Sequence, residues 1–353
     1  NMRAQGIVKY RKRTPITASS SERPVIRRDI RLMEHGTPLK IKDLEIVPFT
    51  IDHSIPGSMG FLINTSSGWI VFTGDIRFHG ERAQASYAFV QEAAGRKPVA
   101  LITEGTNIED EYNLNEASVY KRAERFMRLA EKSKSVLMAT FSGRDLDRLN
   151  TFLKLAQEND RIMAITLPQA HMLRTIDLNT TAAEKSEFSY QVPDLKGKHI
   201  GIYLDRRGTG TYLTKDYRKW ARRYLDNDDY QTVKAADIKR NPHKYLLVLN
   251  FMDLQELTDL EPKAGSHYIH SSSTPWSKLL EIEDSILRNW LGLYGLGYHQ
   301  IHASGHAASP YLQEMIETMN PGCVIPIHTQ KPKLFKAFGK KTIIPEEGKA
   351  IKL

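Results

Sequence analysis

The chain has 353 residues, enough for two domains with cores of their own. Lysine and arginine number 50 against 41 aspartate and glutamate, and the resulting formal charge of +9 favours a polyanionic partner over an acidic or neutral surface. One cysteine, Cys323, excludes intrachain disulfides and fits a reducing cytoplasm, and no apolar run reaches the roughly 20 residues needed to span a bilayer.

Residues 1–37 are basic and loosely patterned, with Lys9-Tyr10-Arg11-Lys12-Arg13 ahead of a Ser-rich stretch from Thr17 to Ser21 that reads as a solvated loop. Asn1-Met2-Arg3-Ala4 has no signal-peptide character. From Pro38 to about Gly105 the pattern is β-rich, with a tight turn at Lys42-Asp43. Three apolar runs in this block each end abruptly in a polar residue. Ile46 to Thr50 delivers His53, Trp69 to Phe72 delivers Asp75 on a Thr-Gly turn, and Val99 to Thr103 delivers Glu104.

From about residue 110 helix and strand alternate. Helical periodicity over Glu116 to Ser133 precedes a strand at Ser135 to Thr140. An amphipathic helix from Arg144 to Asn159 precedes another strand at Arg161 to Thr166. Such alternation predicts a parallel sheet flanked by helices, a Rossmann-like module. It contains no Gly-x-Gly-x-x-Gly, so no dinucleotide is expected. Lys215 to Tyr224 interleaves Tyr217, Trp220 and Tyr224 with five cations. As a helix it either holds single-stranded nucleic acid by stacking or turns its aromatics to the core. A further helix is expected from Ser277 to Leu291, after which the chain returns to the first domain. There Tyr298 to Ala303 leads to Ser304-Gly305-His306, ahead of a helix from Ala307, and Val324 to Ile327 leads to His328.

A lone strand-end His is more often structural than a ligand, but five such junctions in one chain point to a shared site. Imidazole and carboxylate together suit zinc, manganese or iron, and a carboxylate such as Asp75 can bridge two ions.

These segments resemble the β-CASP branch of the metallo-β-lactamase superfamily, and within it the ribonuclease J-like enzymes. Asp52-His53-Ser54-Ile55-Pro56-Gly57-Ser58 is similar to the family's third metal motif and Phe72-Thr73-Gly74-Asp75 to its fourth. Glu104 in Thr103-Glu104-Gly105 is similar to acidic motif A, His306 in Ser304-Gly305-His306 to motif B, and His328 in Ile325-Pro326-Ile327-His328 to motif C. Ala139-Thr140-Phe141-Ser142 and Ser271-Ser272-Ser273-Thr274-Pro275 extend the likeness, which covers residue 38 to the C-terminus. The family's His-x-His-x-Asp-His loop occurs nowhere in these 353 residues, and Leu249-Asn250-Phe251-Met252-Asp253 stands where ribonuclease J has a Gly-rich loop.

The resemblance implies an α/β fold: a metallo-β-lactamase αββα sandwich, incomplete at its N-terminus, with an inserted Rossmann-like β-CASP domain. Its parts would be residues 1–109, the insertion 110–295 and the return 296–353. It implies a cytoplasmic metal-dependent RNA hydrolase holding two divalent ions, zinc first and manganese second. His53, Asp75 and His328 would be the metal ligands, and Asp75, Glu104 and His306 the catalytic groups. Ser304, His306, Ser271, Ser272 and Arg144 would contact phosphate or RNA. Single-stranded RNA is the expected partner, with no membrane association and with a homo-oligomer or a complementing N-terminal half as further partners. The chain is expected to be a fragment of a longer enzyme. The alternatives are a natural short form, a non-catalytic RNA-binding or scaffold relative, and a small-molecule hydrolase of the same fold.

Overall fold

A computed structural model describes residues 10–11, 25–26, 32–179 and 190–352. The Ser-rich stretch and most of the basic N-terminal run lie outside them. The strands are β1 (Tyr10–Arg11), β2 (Val25–Ile26), β3 (Leu39–Ile41), β4 (Leu44–Thr50), β5 (Met59–Thr65), β6 (Gly68–Phe72), β7 (Ala100–Thr103), β8 (Leu137–Thr140), β9 (Ile162–Thr166), β10 (Ile200–Tyr203), β11 (Thr232–Val233), β12 (Tyr245–Val248), β13 (His267–His270), β14 (Gly297–Gln300) and β15 (Val324–Pro326). The helices are α1 (Ala83–Gly95), α2 (Glu116–Lys132), α3 (Leu146–Glu158), α4 (Leu167–Asn179), α5 (Lys219–Arg222), α6 (Ala235–Arg240), α7 (Leu257–Leu260), α8 (Lys278–Leu293) and α9 (Ser309–Met319). None of the described helices is long and apolar enough to cross a membrane.

Apart from the antiparallel pair β1–β2, the strands form two sheets. The first has the order β15-β7-β6-β5-β4-β3, and the second, all parallel, the order β11-β10-β9-β12-β8-β13-β14. In the first sheet β4 and β6 both run antiparallel to β5, and β6, β7 and β15 are mutually parallel. Hence β4, β6, β7 and β15 point the same way and end along one edge. Alternation along the strands turns Val47, Phe49, Leu62 and Val71 onto one face, where Phe89 and Val90 of α1 and Leu312, Met315 and Ile316 of α9 complete a core.

The second sheet is covered on both faces, as parallel sheets are. Leu137, Ala139, Met163 and Ile165 pack with Val119, Ala123 and Met127 of α2 and Leu149, Phe152 and Leu155 of α3. Met138, Ala164 and Leu247 pack on the opposite face with Ile238, Leu257, Leu287 and Leu291. The Asn115 and Asp145 side chains cap α2 and α3 by accepting the amides of Ser118 and Arg148, satisfying donors that helix starts leave unpaired.

Three sequence expectations change. The return to the first sheet comes later than residue 296, because Gly297 to Gln300 pair in register with His267 to His270 and form the edge of the second sheet. The cationic stretch from Lys215 is not one helix. Tyr217 takes an extended conformation between a single turn at Thr214–Asp216 and the short α5, and both Tyr217 and Tyr224 are buried, which removes them as a stacking platform. Finally, α9 starts at Ser309 with Ala308 as a cap that lacks a side-chain bond, so Ser304 does not cap it.

Candidate metal and phosphate site

The common edge of β4, β6, β7 and β15 brings His53, Asp75, Glu104 and His328 together. The segment leaving β14 adds Ser304 and His306. Carboxyl ends of strands are where layered α/β proteins place sites, since the loops there can carry polar groups on a rigid support.

His53 is 5% exposed, and its Nδ1 lies 2.6 Å from the carbonyl oxygen of Gly305. A carbonyl only accepts, so Nδ1 carries the proton and Nε2 presents its lone pair, 3.9 Å from Asp75 Oδ2. Burial holds the His53 pKa below its ordinary value despite the Gly305 bond, which keeps the ring in the neutral form a metal requires. Asp75 follows Gly74, whose φ of +61° admits a tight turn that an L side chain resists. Its other oxygen, Oδ1, lies 3.4 Å from His328 Nδ1. His328 itself has φ +46°, unusual for a residue with a side chain, and Thr106 Oγ1 sits 3.1 Å from its Nδ1.

Glu104 is 1% exposed and ties both ends of the chain together. One oxygen accepts from the Thr106 amide at 2.7 Å, and the other from the Ala307 amide at 3.3 Å. Its Oε2 also lies 3.4 Å from His306 Nδ1. Burial disfavours the His306 imidazolium, but the Glu104 carboxylate, helped by Asp75, outweighs it and raises the pKa. Ser304 Oγ accepts from Asn107 Nδ2 at 2.8 Å and from the His306 amide at 3.1 Å.

Asp75, His306 and His328 offer ligand atoms within 4.8 Å of one another, the single such group among the described residues. Donors around one tetrahedral ion, each about 2 Å from it, are roughly 3.5 Å apart, so small rotations suffice to close them on a cation. His306 Nδ1 is buried without a well-aligned hydrogen bond, as expected of a donor set shaped for a further group. The residues therefore fit a divalent metal. The geometry groups His306 with Asp75 and His328, while His53 meets Asp75 at 3.9 Å and the His306 ring edge to face. The motif resemblance instead assigned His53 to the metal and His306 to the phosphate.

The remaining expected contacts fare differently. Arg144 is exposed at the carboxyl end of β8, and Ser272 is half-buried after β13. Ser271 cannot meet RNA as expected. It is 1% exposed, its hydroxyl accepts from Arg148 at 2.6 Å and donates to the Ile301 carbonyl at 2.5 Å, so both its roles are spent inside the protein.

Sequence reasoning missed the polar support beneath the site. Asn113 holds the His306 carbonyl and the Ala308 amide, and His79 Nε2 donates to the Ser304 carbonyl. Arg77 and Arg82, both buried, bind Asp52 and Asp147. One signal was available: Arg148 lies in helical phase with Phe152 and Leu155, a charge on an apolar stripe, which demands a buried partner.

No family model matches the chain. Ribonuclease J from Mycoplasma genitalium is 24% identical over 308 residues, covering 81% of this chain and 46% of that protein. Ribonuclease J2 from Bacillus subtilis is 23% identical over 330 residues, covering 88% and 51% respectively. Over about four-fifths of its length the chain is similar to ribonuclease J. It spans about half the length of the curated relatives it matches. A crystal structure of an Enterococcus faecalis protein of unknown function superposes on this chain with TM-score 0.66 at 18% identity, covering 92% of this chain and 67% of that one. Two sheets with a mixed α/β layout and this likeness fit a metallo-β-lactamase fold carrying a β-CASP module.

Proposed function

We propose that this ribonuclease J-like chain supplies much of the active site of a cytoplasmic, metal-dependent hydrolase of phosphodiester bonds in single-stranded RNA, leaving a 5′-phosphate and a 3′-hydroxyl. The observation that carries this reading is the convergence of Asp75, His306 and His328 within 4.8 Å, with His53 at the same carboxylate. Zinc, or else manganese, is the proposed cofactor, and Asp75, His306 and His328, with His53 beside Asp75 Oδ2, are the side chains that would hold it. When bound, such ions supply Lewis-acid activation of water and neutralise phosphate charge.

The protein's own groups do the rest. Glu104 favours a protonated His306, which can donate to a phosphate oxygen only while it is not a metal ligand, since ligation needs the neutral ring. Ser304 Oγ already accepts two hydrogen bonds, so its O–H is free to donate to the same phosphate. Asp147 of α3 and Ser271 after β13 are fixed under the site, so the second sheet forms the opposite wall of the RNA cleft, with exposed Arg144 on it. The proposed division is residues 1–109, an insertion from residue 110 through β14, and a return that begins a few residues beyond β14.

Among the described residues four side chains can ligate, enough for one ion with three or four protein donors but not for two. Titration with manganese, read by calorimetry, is expected to show about one ion per chain. Asp75→Ala and His328→Ala are expected to weaken that binding by about 10²-fold and to abolish any manganese-dependent cleavage of end-labelled single-stranded RNA. Less than one ion bound at saturation, together with intact RNA affinity, would sink the enzyme reading and leave a binding or scaffold role.

A further inference from the structure

Beneath His53 lies a buried charge network that no motif marks. Arg77 is fully buried and Arg82 is 5% exposed. Two buried guanidiniums require two counter-charges, because an uncompensated one costs several kcal/mol by the general scale of charge burial. The segment that carries them offers one, Asp52, itself fully buried. Both Asp52 oxygens are engaged: Oδ1 by Arg77 Nε at 3.1 Å and Arg82 at 3.5 Å, and Oδ2 by the Gly80 amide at 2.9 Å.

The second counter-charge comes from the other sheet's helix layer. Asp147, in the first turn of α3, accepts from Arg77 Nη2 at 2.5 Å, and from Arg82 Nη1 and Nη2 at 2.8 Å each. The fork on Arg82 is bidentate, the geometry that fixes a guanidinium in orientation as well as position. Arg82 Nη2 then reaches the His53 carbonyl oxygen at 3.3 Å, and the Tyr190 ring lies 3.5 Å from the guanidinium carbon on its face. The next residue of α3, Arg148, binds Glu116, the Ser271 carbonyl and the Ala303 carbonyl, immediately before Ser304. One helical turn thus grips the backbone at or beside both halves of the site.

We infer that Asp147 is a positioning residue for the metal site, acting across the two sheets through Arg82 to hold the His53 backbone and through Arg77 to hold Asp52. This inference rests on the proposed reading for its purpose, but its geometry does not. With Asp147 in place, the His53 ring stays within bonding distance of the Gly305 carbonyl and keeps its Nε2 lone pair toward Asp75. Without it, one guanidinium loses its counter-charge and the loop from Asp52 to Ser58 must shift to let water in. The site would then be formed only when α3 is docked, which makes metal affinity depend on the closure of the two layers.

The experiment uses the whole chain with histidine labelled at its ring nitrogens. In the metal-free wild type, long-range nitrogen–proton spectra should show His53 as a single Nδ1–H tautomer. Asp147→Asn and Arg82→Lys, the second of which keeps the charge but loses the fork, should give averaged His53 signals. Arg161→Met, which removes a buried arginine bonded to Ser135, Tyr245 and Glu131 in the second sheet's own layer, serves as the destabilised control and should leave His53 unchanged. In a parallel manganese titration, both network variants should weaken binding by 10–100-fold, the usual scale for groups that orient a ligand, and Arg161→Met should not. Unchanged His53 signals in a folded Asp147→Asn or Arg82→Lys protein overturn the inference. A wild type that shows the ordered tautomer but binds no manganese overturns the metal reading and leaves the positioning role standing.

Discussion

At the scale of single residues, the partly buried histidines make stability depend on pH in a direction that can be worked out. Burial pushes His302 down to about 3 with Arg148 adding to the effect, His299 to about 4 with His267 next to it, and His79 to about 4. Each has a folded pKa below its unfolded value near 6.5, so between those values the unfolded chain binds a proton that the folded chain refuses. Stability should therefore fall as pH drops below about 6.5 and keep falling to about 4. Asp145 works the other way, since burial raises it to about 6 and lets the folded state take a proton first. Burial also lowers His53, His171, His267 and His270 and raises Asp52, Asp253 and Glu256, and His306 is raised by Glu104 against its burial. The lowered histidines are the larger group, so the melting temperature should drop between pH 7 and pH 5, and His302→Gln should flatten that profile. A melting temperature flat across this range would mean that these rings are hydrated in solution. None of this was legible in the sequence. His299 and His302 lie within the run Tyr298 to Ala303, and only the packing of Phe126 and Arg148 against them shows that they are partly buried.

At the scale of elements, strands and helices were legible because their apolar periods are long and regular. The helix expected at 116–133 is observed at Glu116–Lys132, and the strand expected at 46–50 at Leu44–Thr50. The strand-end polar residues were legible for the same reason, since an apolar run that stops at a strand's carboxyl end marks the loop that follows. The support under them was not, because Arg77 and Asp147 are 70 positions apart and a pair of that kind leaves no spacing to read. The Thr73-Gly74-Asp75 turn lies between these cases. Gly74 has φ +61°, and a Cβ there would meet the Met59 carbonyl oxygen at 3.0 Å, so Gly74→Ala is strained both by conformation and by contact. The left-handed conformation alone costs about 1–2 kcal/mol, which should lower the melting temperature by a few degrees in a chain of this size. The displaced Asp75 should also weaken manganese binding. An alanine variant with wild-type melting and affinity would show that the turn can relax at no cost.

At the scale of the molecule, the charge of +9 and the burial of the tyrosines together set how RNA should be held. Tyr217 is 2% exposed and Tyr224 fully buried, so these two tyrosines pack against the core of the second sheet and cannot stack on bases, while half-buried Trp220 packs on the same core and on His171. Recognition is left to cations such as Arg144 along the cleft, which contact phosphate and do not distinguish sequence. Binding of single-stranded RNA should then be indifferent to sequence and steep in salt. If about five phosphates are neutralised, the slope of log affinity against log salt is near −3.5, roughly a hundredfold loss over a fourfold rise in salt. Arg144→Ala should make that slope shallower by about 0.7, the contribution of one phosphate contact on a single strand. A small-molecule hydrolase on the same fold would show turnover nearly independent of salt. Filter binding of a labelled oligonucleotide between 50 and 200 mM salt separates the two. A flat profile would remove RNA from the cleft, and a steep profile unchanged by Arg144→Ala would move the contacts to the other cations of the surface.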